Sequence, residues 1–125
     1  MLTNIMYVTV NVTDQDRALT FYTEGLGLEK RADYPGPEGR FLTVGVPGGP
    51  VEILLWSQAP ATGAAGAAGP LILESDDLRK DAEAFRRRGV TLDRPEPEEY
   101  PFGLRIEALD PDGNQISLRQ RRRPS

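Results

Sequence analysis

Two segments of the chain share one helical frame, and this repeat restricts the possible folds more than any other feature. The frame is Ala-x-x-Phe-x-x-x-Gly, which occupies residues 18–25 and again residues 82–89. Its apolar positions are spaced for one face of an α-helix, and glycine is a common helix end. Strand patterns surround both segments in the same order, so the simplest account is an internal duplication that covers almost the whole chain.

The first half of the sequence predicts the order β-α-β-β-β. Residues 5–12 alternate between apolar and polar side chains, which is the pattern of a half-buried strand. A helix follows, with Thr13 or Asp14 as its N-cap and Gly25 at its end. Turns rich in proline and glycine then separate three shorter strands, at residues 28–33, 40–46 and 51–56.

The second half predicts the same order after a connector rich in alanine and glycine, at residues 57–69. Asp76 or Asp77 caps the second helix, and Gly89 ends it. The predicted strands are residues 70–74, 90–93, 104–109 and 115–119. Between them we expect a solvated acidic loop at 95–99, a lip at 100–103 and a turn at 110–113.

These elements predict an α+β fold in one domain, built from two βαβββ modules at about residues 1–56 and 70–120. Each module would form a curved sheet with a helix on its outer face, because the apolar side of the strands must be covered. The opposite faces carry polar and aromatic side chains. They would enclose a cleft between the modules, and any ligand would bind there.

Two residue types are absent, and their absence excludes several classes of site. The 125 residues include no cysteine and no histidine, which excludes disulfides, zinc fingers, thiol nucleophiles and histidine bases. The net charge of -4 argues against nucleic acid as a partner, because phosphate neutralisation needs a basic face. No segment approaches the ~18 apolar residues of a membrane span, and no signal peptide is recognisable. We therefore expect a cytoplasmic protein without a membrane partner.

Five short motifs carry a resemblance to a known family. They are Val10-Asn11-Val12-Thr13-Asp14, Arg17-Ala18-x-x-Phe21-Tyr22, Gly25-Leu26-Gly27-Leu28, Val51-Glu52-Ile53-Leu54-Leu55-Trp56 and Asp110-Pro111-Asp112-Gly113-Asn114. Together they resemble the vicinal oxygen chelate superfamily, which includes glyoxalase I, bleomycin-resistance proteins and extradiol dioxygenases. The resemblance spans nearly the whole chain outside the connector. It implies the paired βαβββ fold and a homodimer, and it leaves the activity open because one scaffold hosts many chemistries.

Glyoxalase-type members of that superfamily hold a divalent metal with four side chains, one from each of four strands that face the cleft. On this chain the resemblance puts those positions at Tyr7, Glu52, Pro70 and Ser117. Only Glu52 is a strong ligand, whereas Zn²⁺, Ni²⁺ or Fe²⁺ needs three or four strong donors in fixed geometry. This departure from the family pattern predicts a metal-free site without a cofactor.

Glu52 is the candidate catalytic residue. On the inner face it could act as a general base, pair with a cationic ligand, or form a salt bridge with Arg119. The candidate ligand-binding residues are Tyr7, Thr9, Asn11, Leu54, Trp56, Phe102, Ser117 and Arg119. The rings of Tyr7 and Trp56 suit stacking on a flat ligand, or ordinary core or dimer packing. Arg119 could clamp a carboxylate or phosphate, or be a solvated strand end.

Three functions remain open at this point. The first is metal-free binding of a small organic molecule, planar or cationic, as in bleomycin-resistance proteins. The second is a metal-independent lyase or isomerase, with Glu52 as base and Tyr7 or Arg119 steadying an enolate oxygen. The third is a glyoxalase that holds Mg²⁺ or Mn²⁺ through Glu52, Glu107 and a carboxylate of a partner chain. The face of strand 104–109 that carries Glu107 also stays open.

Overall fold

A computed structural model of the chain describes residues 1–37, 39–57 and 71–122. The chain divides into two compact units, Met1–Ala65 and Gly66–Ser125. Each unit contains one sheet and one α-helix, which confirms the predicted α+β class. The predicted connector lies outside the described residues, apart from Ser57. Neither α-helix in the described ranges is long and apolar enough to cross a membrane.

The first unit has the predicted β-α-β-β-β order. Its elements are β1 (Tyr7–Val12), α1 (Gln15–Thr20), a π-helical turn (Phe21–Gly25), β2 (Glu29–Tyr34), β3 (Phe41–Gly45) and β4 (Glu52–Ser57). The four strands lie in the order β1-β4-β3-β2. β1 runs parallel to β4, and the other pairs are antiparallel.

The second unit repeats this topology with one additional strand. Its elements are β5 (Leu71–Glu74), α2 (Leu78–Arg87), β6 (Thr91–Leu92), β7 (Glu98–Tyr100), β8 (Gly103–Leu109) and β9 (Gln115–Arg121). The order β5-β9-β8-β6 matches that of the first sheet, and β5 is again parallel to its neighbour. The shared topology agrees with an internal duplication.

α2 shows how the local sequence positions the second sheet. The side chain of Asp77 accepts a hydrogen bond from the backbone N–H of Lys80 at the start of the helix, and Gly89 follows its end with φ of 86°. The helix buries Leu78, Ala82 and Phe85 and contacts β8 and β9. Burial of each large apolar side chain contributes about 1.5–3 kcal/mol. The opposite face of the sheet is left for polar side chains.

The first helical segment ends at Gly25 as predicted, but its last turn is not α-helical. A π-helical turn follows Thr20 and ends at Gly25, and the positive φ of 83° lies two residues later, at Gly27. Tyr22 is fully buried, whereas Phe21 is half-buried. A π turn adds a residue to the helical repeat, and sequence periodicity does not register such an addition.

Two strand predictions also need correction. β1 begins at Tyr7 rather than residue 5. Met6 and Val8 are exposed, whereas Val10 and Val12 further along the chain are buried. The predicted solvated loop at 95–99 contains the start of β7, which pairs with β8. Glu98 forms ion pairs with Arg94 and Arg105, so its charge is neutralised at the sheet.

Candidate functional site

Six predicted site residues share one face of the first sheet. The register of β1 and β4 aligns Tyr7 with Glu52, Thr9 with Leu54, and Asn11 with Trp56. Successive side chains of a strand point to opposite faces. These six side chains therefore point away from the buried Val10 and Ile53, which lie on the side that α1 packs against. The structure brings this part of the predicted site together as expected.

Glu52 has a partner that the sequence did not indicate. The hydroxyl group of the buried Thr43 donates a hydrogen bond to Glu52 Oε1 at 2.6 Å. Gly45 stands opposite Glu52 in the β3–β4 register. A Cβ atom at Gly45 would lie 2.7 Å from Arg31 Cζ, so the Arg31 guanidinium fills the space above this glycine. A side chain at residue 45 would displace this guanidinium from its position over β3.

Aromatic rings cover part of the same face. The Tyr7 and Phe41 rings meet edge to face, with centroids 5.7 Å apart, although β4 lies between their strands. Trp56 is half-buried and keeps part of its ring accessible. Such rings can pack on a flat apolar molecule.

An ion-pair network fixes the ends of the strands in this unit. Arg40 forms a two-point pair with Asp33, with Nε–Oδ1 and Nη2–Oδ2 distances of 2.7 and 2.8 Å. Its Nη1 lies 2.7 Å from Asp16 Oδ1 on α1. The hydrogen bond from Arg40 lowers the pKa of Asp33 below its ordinary value, and the nearby positive charges act in the same direction.

The second sheet presents its own polar face, and the register identifies it. Glu107 aligns with Ser117, and Arg105 aligns with Arg119. The alternate residue Ile106 is fully buried, on the side that α2 covers. Arg105 and Glu107 therefore share the face of the predicted site residues Ser117 and Arg119.

A short hydrogen-bonded chain runs across this face. Arg119 Nε donates to Ser117 Oγ at 2.8 Å, and Ser117 Oγ donates to Glu107 Oε1 at 3.1 Å. Glu107 Oε2 is buried and has no hydrogen-bond partner among the described residues. A ligand group that donates a hydrogen bond would satisfy this oxygen. The sequence named Ser117 and Arg119, and it did not identify Glu107 as part of this arrangement.

A cavity of about 760 Å³ opens within the second unit. Its lining residues are Ile72, Leu73, Glu74, Tyr100, Pro101, Phe102, Arg119, Arg121 and Arg122. The Tyr100 and Phe102 rings contact each other at a centroid distance of 5.9 Å. The Arg105 and Arg119 guanidinium carbons lie 5.1 and 5.3 Å from the Tyr100 ring centroid, which is within cation–π range. The cavity thus combines aromatic and cationic walls.

The residues at the four metal positions do not fit a divalent ion. Tyr7 and Ser117 offer neutral hydroxyl groups, and Pro70 lies outside the described residues. Ser117 Oγ already accepts a hydrogen bond from the Arg119 guanidinium, which would repel a metal ion beside it. Among the described residues, no group of three or more acidic side chains could hold a metal. Glu52 remains the single strong donor among these positions.

Comparison with known proteins identifies the family. The model of the Glyoxalase/Bleomycin resistance protein/Dioxygenase superfamily matches residues 4–118. The chain belongs to this superfamily.

Three proteins are similar to this chain over nearly its whole length. The uncharacterized protein YetH of Bacillus subtilis (strain 168) is 30% identical over 121 residues, which cover 96% of this chain and 100% of YetH. TnmS3, an antibiotic binding protein from Streptomyces sp. CB03234, is 35% identical with a TM-score of 0.86, covering 97% of this chain and 98% of TnmS3. A glyoxalase/bleomycin resistance protein from the same strain is 36% identical with a TM-score of 0.77, covering 94% and 100%.

Proposed function

We propose that this superfamily member binds a small organic molecule reversibly and without a metal ion. The observation that carries the proposal is the cavity of about 760 Å³ in the second unit. Its volume lies within the range of about 300–1,000 Å³ that is typical of small-molecule sites. Phe102 and Arg119, two of the residues predicted to bind ligand, line it.

The relatives support binding rather than a particular reaction. TnmS3, which covers nearly the whole of this chain, is an antibiotic binding protein. Transfer of that role to this chain rests on 35% identity and a TM-score of 0.86. We infer a ligand that resembles an antibiotic in size and in its aromatic or polycyclic character, because the cavity walls contain aromatic rings and arginine.

The polar face of the first sheet is the second part of the proposal. We assign Tyr7, Thr9, Asn11, Leu54 and Trp56 as ligand contacts there. Tyr7 and Trp56 provide aromatic surface, while the hydroxyl and amide groups of Thr9 and Asn11 can orient a polar substituent.

The proposal that binding needs no metal rests on the chemistry of the side chains at the four metal positions. Zinc, nickel and iron sites need three or four strong ligands, and two of the four family positions carry neutral hydroxyl groups here. The arginine bound to Ser117 adds a positive charge beside one of these two hydroxyl groups. Binding would therefore depend on packing, hydrogen bonds and charge on the protein itself.

A metal-independent lyase or isomerase is the second candidate. The observation that favours it is the position of Glu52, half-buried and oriented by the Thr43 hydroxyl group 2.6 Å away. A carboxylate held in this way is suited to remove a proton from a bound substrate. Replacement of Glu52 by glutamine separates this reaction from simple binding.

Calorimetry and thermal unfolding against basic glycopeptide antibiotics and polycyclic aromatic metabolites test the binding proposal. A ligand at roughly 100 times its Kd should stabilise the folded chain by about 2.7 kcal/mol, which raises Tm by several degrees. Phe102→Leu should weaken binding, since it removes an aromatic ring from the cavity wall. Phe21→Leu is the matched control, because it removes a ring from the helical turn instead. Absence of any Tm shift across the panel would refute the proposal.

A further inference from the structure

The cavity of the second unit is cationic in a chain that is acidic overall. Three arginines and one glutamate line it, although the chain has 15 basic and 19 acidic residues. Arg121 Nε lies 3.0 Å from Glu74 Oε2, so these two charges neutralise each other. Within the described ranges, Arg119 and Arg122 have no carboxylate at ion-pair distance. Two guanidinium charges therefore remain for a ligand.

The Arg119 guanidinium is held in place before any ligand arrives. Its Nε donates to Ser117 Oγ at 2.8 Å, and its Cζ lies 5.3 Å from the Tyr100 ring centroid. These two contacts use one edge and one face of the guanidinium, and its two Nη groups remain available. A fixed pair of N–H donors matches the two oxygens of a carboxylate, and prior ordering reduces the entropy lost on binding.

Apolar surface lies beside these charges. Phe102 and Ile72 both line the cavity, and 74% and 57% of their surfaces are exposed. The backbone N–H of Arg122 donates to the Phe102 carbonyl oxygen at 2.7 Å, which holds the tip of the β7–β8 hairpin against β9. A planar ring system laid on Phe102 would cover this surface and place an acidic substituent near Arg119.

Nearby acidic groups do not cancel the positive charge of this cavity. Glu98 is paired with Arg105, whose guanidinium is therefore already balanced. Glu107 is not among the residues that line the cavity, and Ser117 lies between it and Arg119. The acidic composition of the chain favours a cationic ligand. In this cavity, however, two arginines that have no carboxylate at ion-pair distance in the described part of the chain would repel such a ligand.

We propose that the second unit selects a planar aromatic carboxylate, with Arg119 and Phe102 as the specificity-determining residues. The inference rests on the proposed binding function and deepens it by naming the chemical class of the ligand. The Arg119 fork would bind the anionic group, Arg122 would add attraction, and Phe102 would stack on the ring.

Three probes with one ring system test the charge preference: 2-naphthoate, the neutral 2-naphthamide and the cationic 2-naphthylmethylamine. Each is titrated into the full-length ¹⁵N-labelled chain and followed by NMR, which reports affinity and location together. We expect naphthoate to bind at least about tenfold more tightly than naphthamide, as a charge-assisted hydrogen bond would give. The largest shifts should fall on the amides of Phe102, Gly103 and Arg119.

Variants assign the preference to the named residues. Arg119→Gln should weaken naphthoate binding by about tenfold and change naphthamide binding by less than about twofold. Arg119→Lys should fall between, because lysine keeps the charge without the planar fork. Phe102→Leu should weaken all three probes. Arg87→Gln, at an arginine on α2 whose side chain is 71% exposed, is the matched control and should change nothing.

The outcomes separate this inference from the binding function itself. Equal or tighter binding of naphthamide or the amine, shifts away from the hairpin, or no naphthoate binding would each overturn the anion preference. The binding proposal would survive those results if any antibiotic or metabolite of the wider panel raises Tm. Failure of the whole panel would remove the function and not only the ligand class.

Discussion

At the scale of single residues, each sheet presents one carboxylate that is oriented by a hydroxyl group on the neighbouring strand. In the first sheet Thr43 on β3 donates to Glu52 on β4, at 2.6 Å. In the second sheet Ser117 on β9 donates to Glu107 on β8, at 3.1 Å. In sheet order β9 corresponds to β4 and β8 corresponds to β3, so the strand that carries the hydroxyl group in one unit carries the carboxylate in the other. Of these two carboxylates, only Glu107 is connected through its hydroxyl partner to an arginine. Two units of the same topology therefore carry two different polar centres.

Glu52→Gln distinguishes a binding role from a catalytic role of the first centre. The amide oxygen of glutamine can still accept the Thr43 hydrogen bond, so the fold should persist. If the chain only binds, ligand affinity should change by less than about tenfold, because Glu52 is one contact among several. Calorimetry with a ligand from the panel measures this, and Glu24→Gln on the exposed end of the π turn is the control. Turnover of that ligand by the parent chain, lost by about 10²–10⁴-fold in the variant, would instead favour the lyase or isomerase.

At the scale of elements, the β7–β8 hairpin builds one wall of the cavity. Tyr100 pairs with Gly103, and Pro101 and Phe102 form the turn between them. Gly103 has φ of 144°, and a Cβ atom there would lie 2.0 Å from the Gln120 carbonyl oxygen. Only glycine allows β8 to start this close to β9, so the position of Phe102 depends on a residue without a side chain.

Gly103→Ala should destabilise the chain by about 1–3 kcal/mol, because the added methyl group overlaps backbone atoms that cannot move independently. It should also weaken the binding of aromatic ligands, since the hairpin must shift. Gly113→Ala is the matched control: it has a positive φ of 82°, but its Cβ would meet open space. Urea unfolding measures both variants. Equal losses of stability would show that backbone conformation, and not contact with β9, determines the effect at Gly103.

The sequence predicted an element well where the interactions that form it lie within a few residues along the chain. α2 was predicted from a cap at Asp76 or Asp77, of which the structure shows Asp77, to its end at Gly89, because caps and glycine act within one turn. β7 was missed because Glu98 is neutralised by Arg105, an interaction between paired strands that composition does not show. Strand alternation also predicted that the six candidate residues of β1 and β4 share one face of the sheet. The cavity arginines were not recognised as a group, since their proximity arises from folding.

At the scale of the whole molecule, the two units share one topology but divide the chemistry. The first unit carries polar groups and rings around Glu52, and the second carries the arginine-lined cavity. The family model covers both units, yet the four positions that hold metal in glyoxalase-type members are not four strong donors here. The predicted cleft between modules, the homodimer and the cytoplasmic location stay predictions.

The donor chemistry leads to a prediction about metal content. Protein purified without chelators should contain less than about 0.1 equivalent of Zn²⁺, Ni²⁺, Fe²⁺ or Mn²⁺ per chain, since a stable site needs three or four strong ligands. Elemental analysis measures this directly, and Glu52→Gln should leave the content unchanged. Treatment with EDTA followed by dialysis should change ligand affinity by less than about twofold, because no contact proposed here passes through a metal. A full equivalent of metal that survives dialysis and disappears in the Glu52→Gln variant would restore the glyoxalase hypothesis, with Glu52 and Glu107 as its carboxylates.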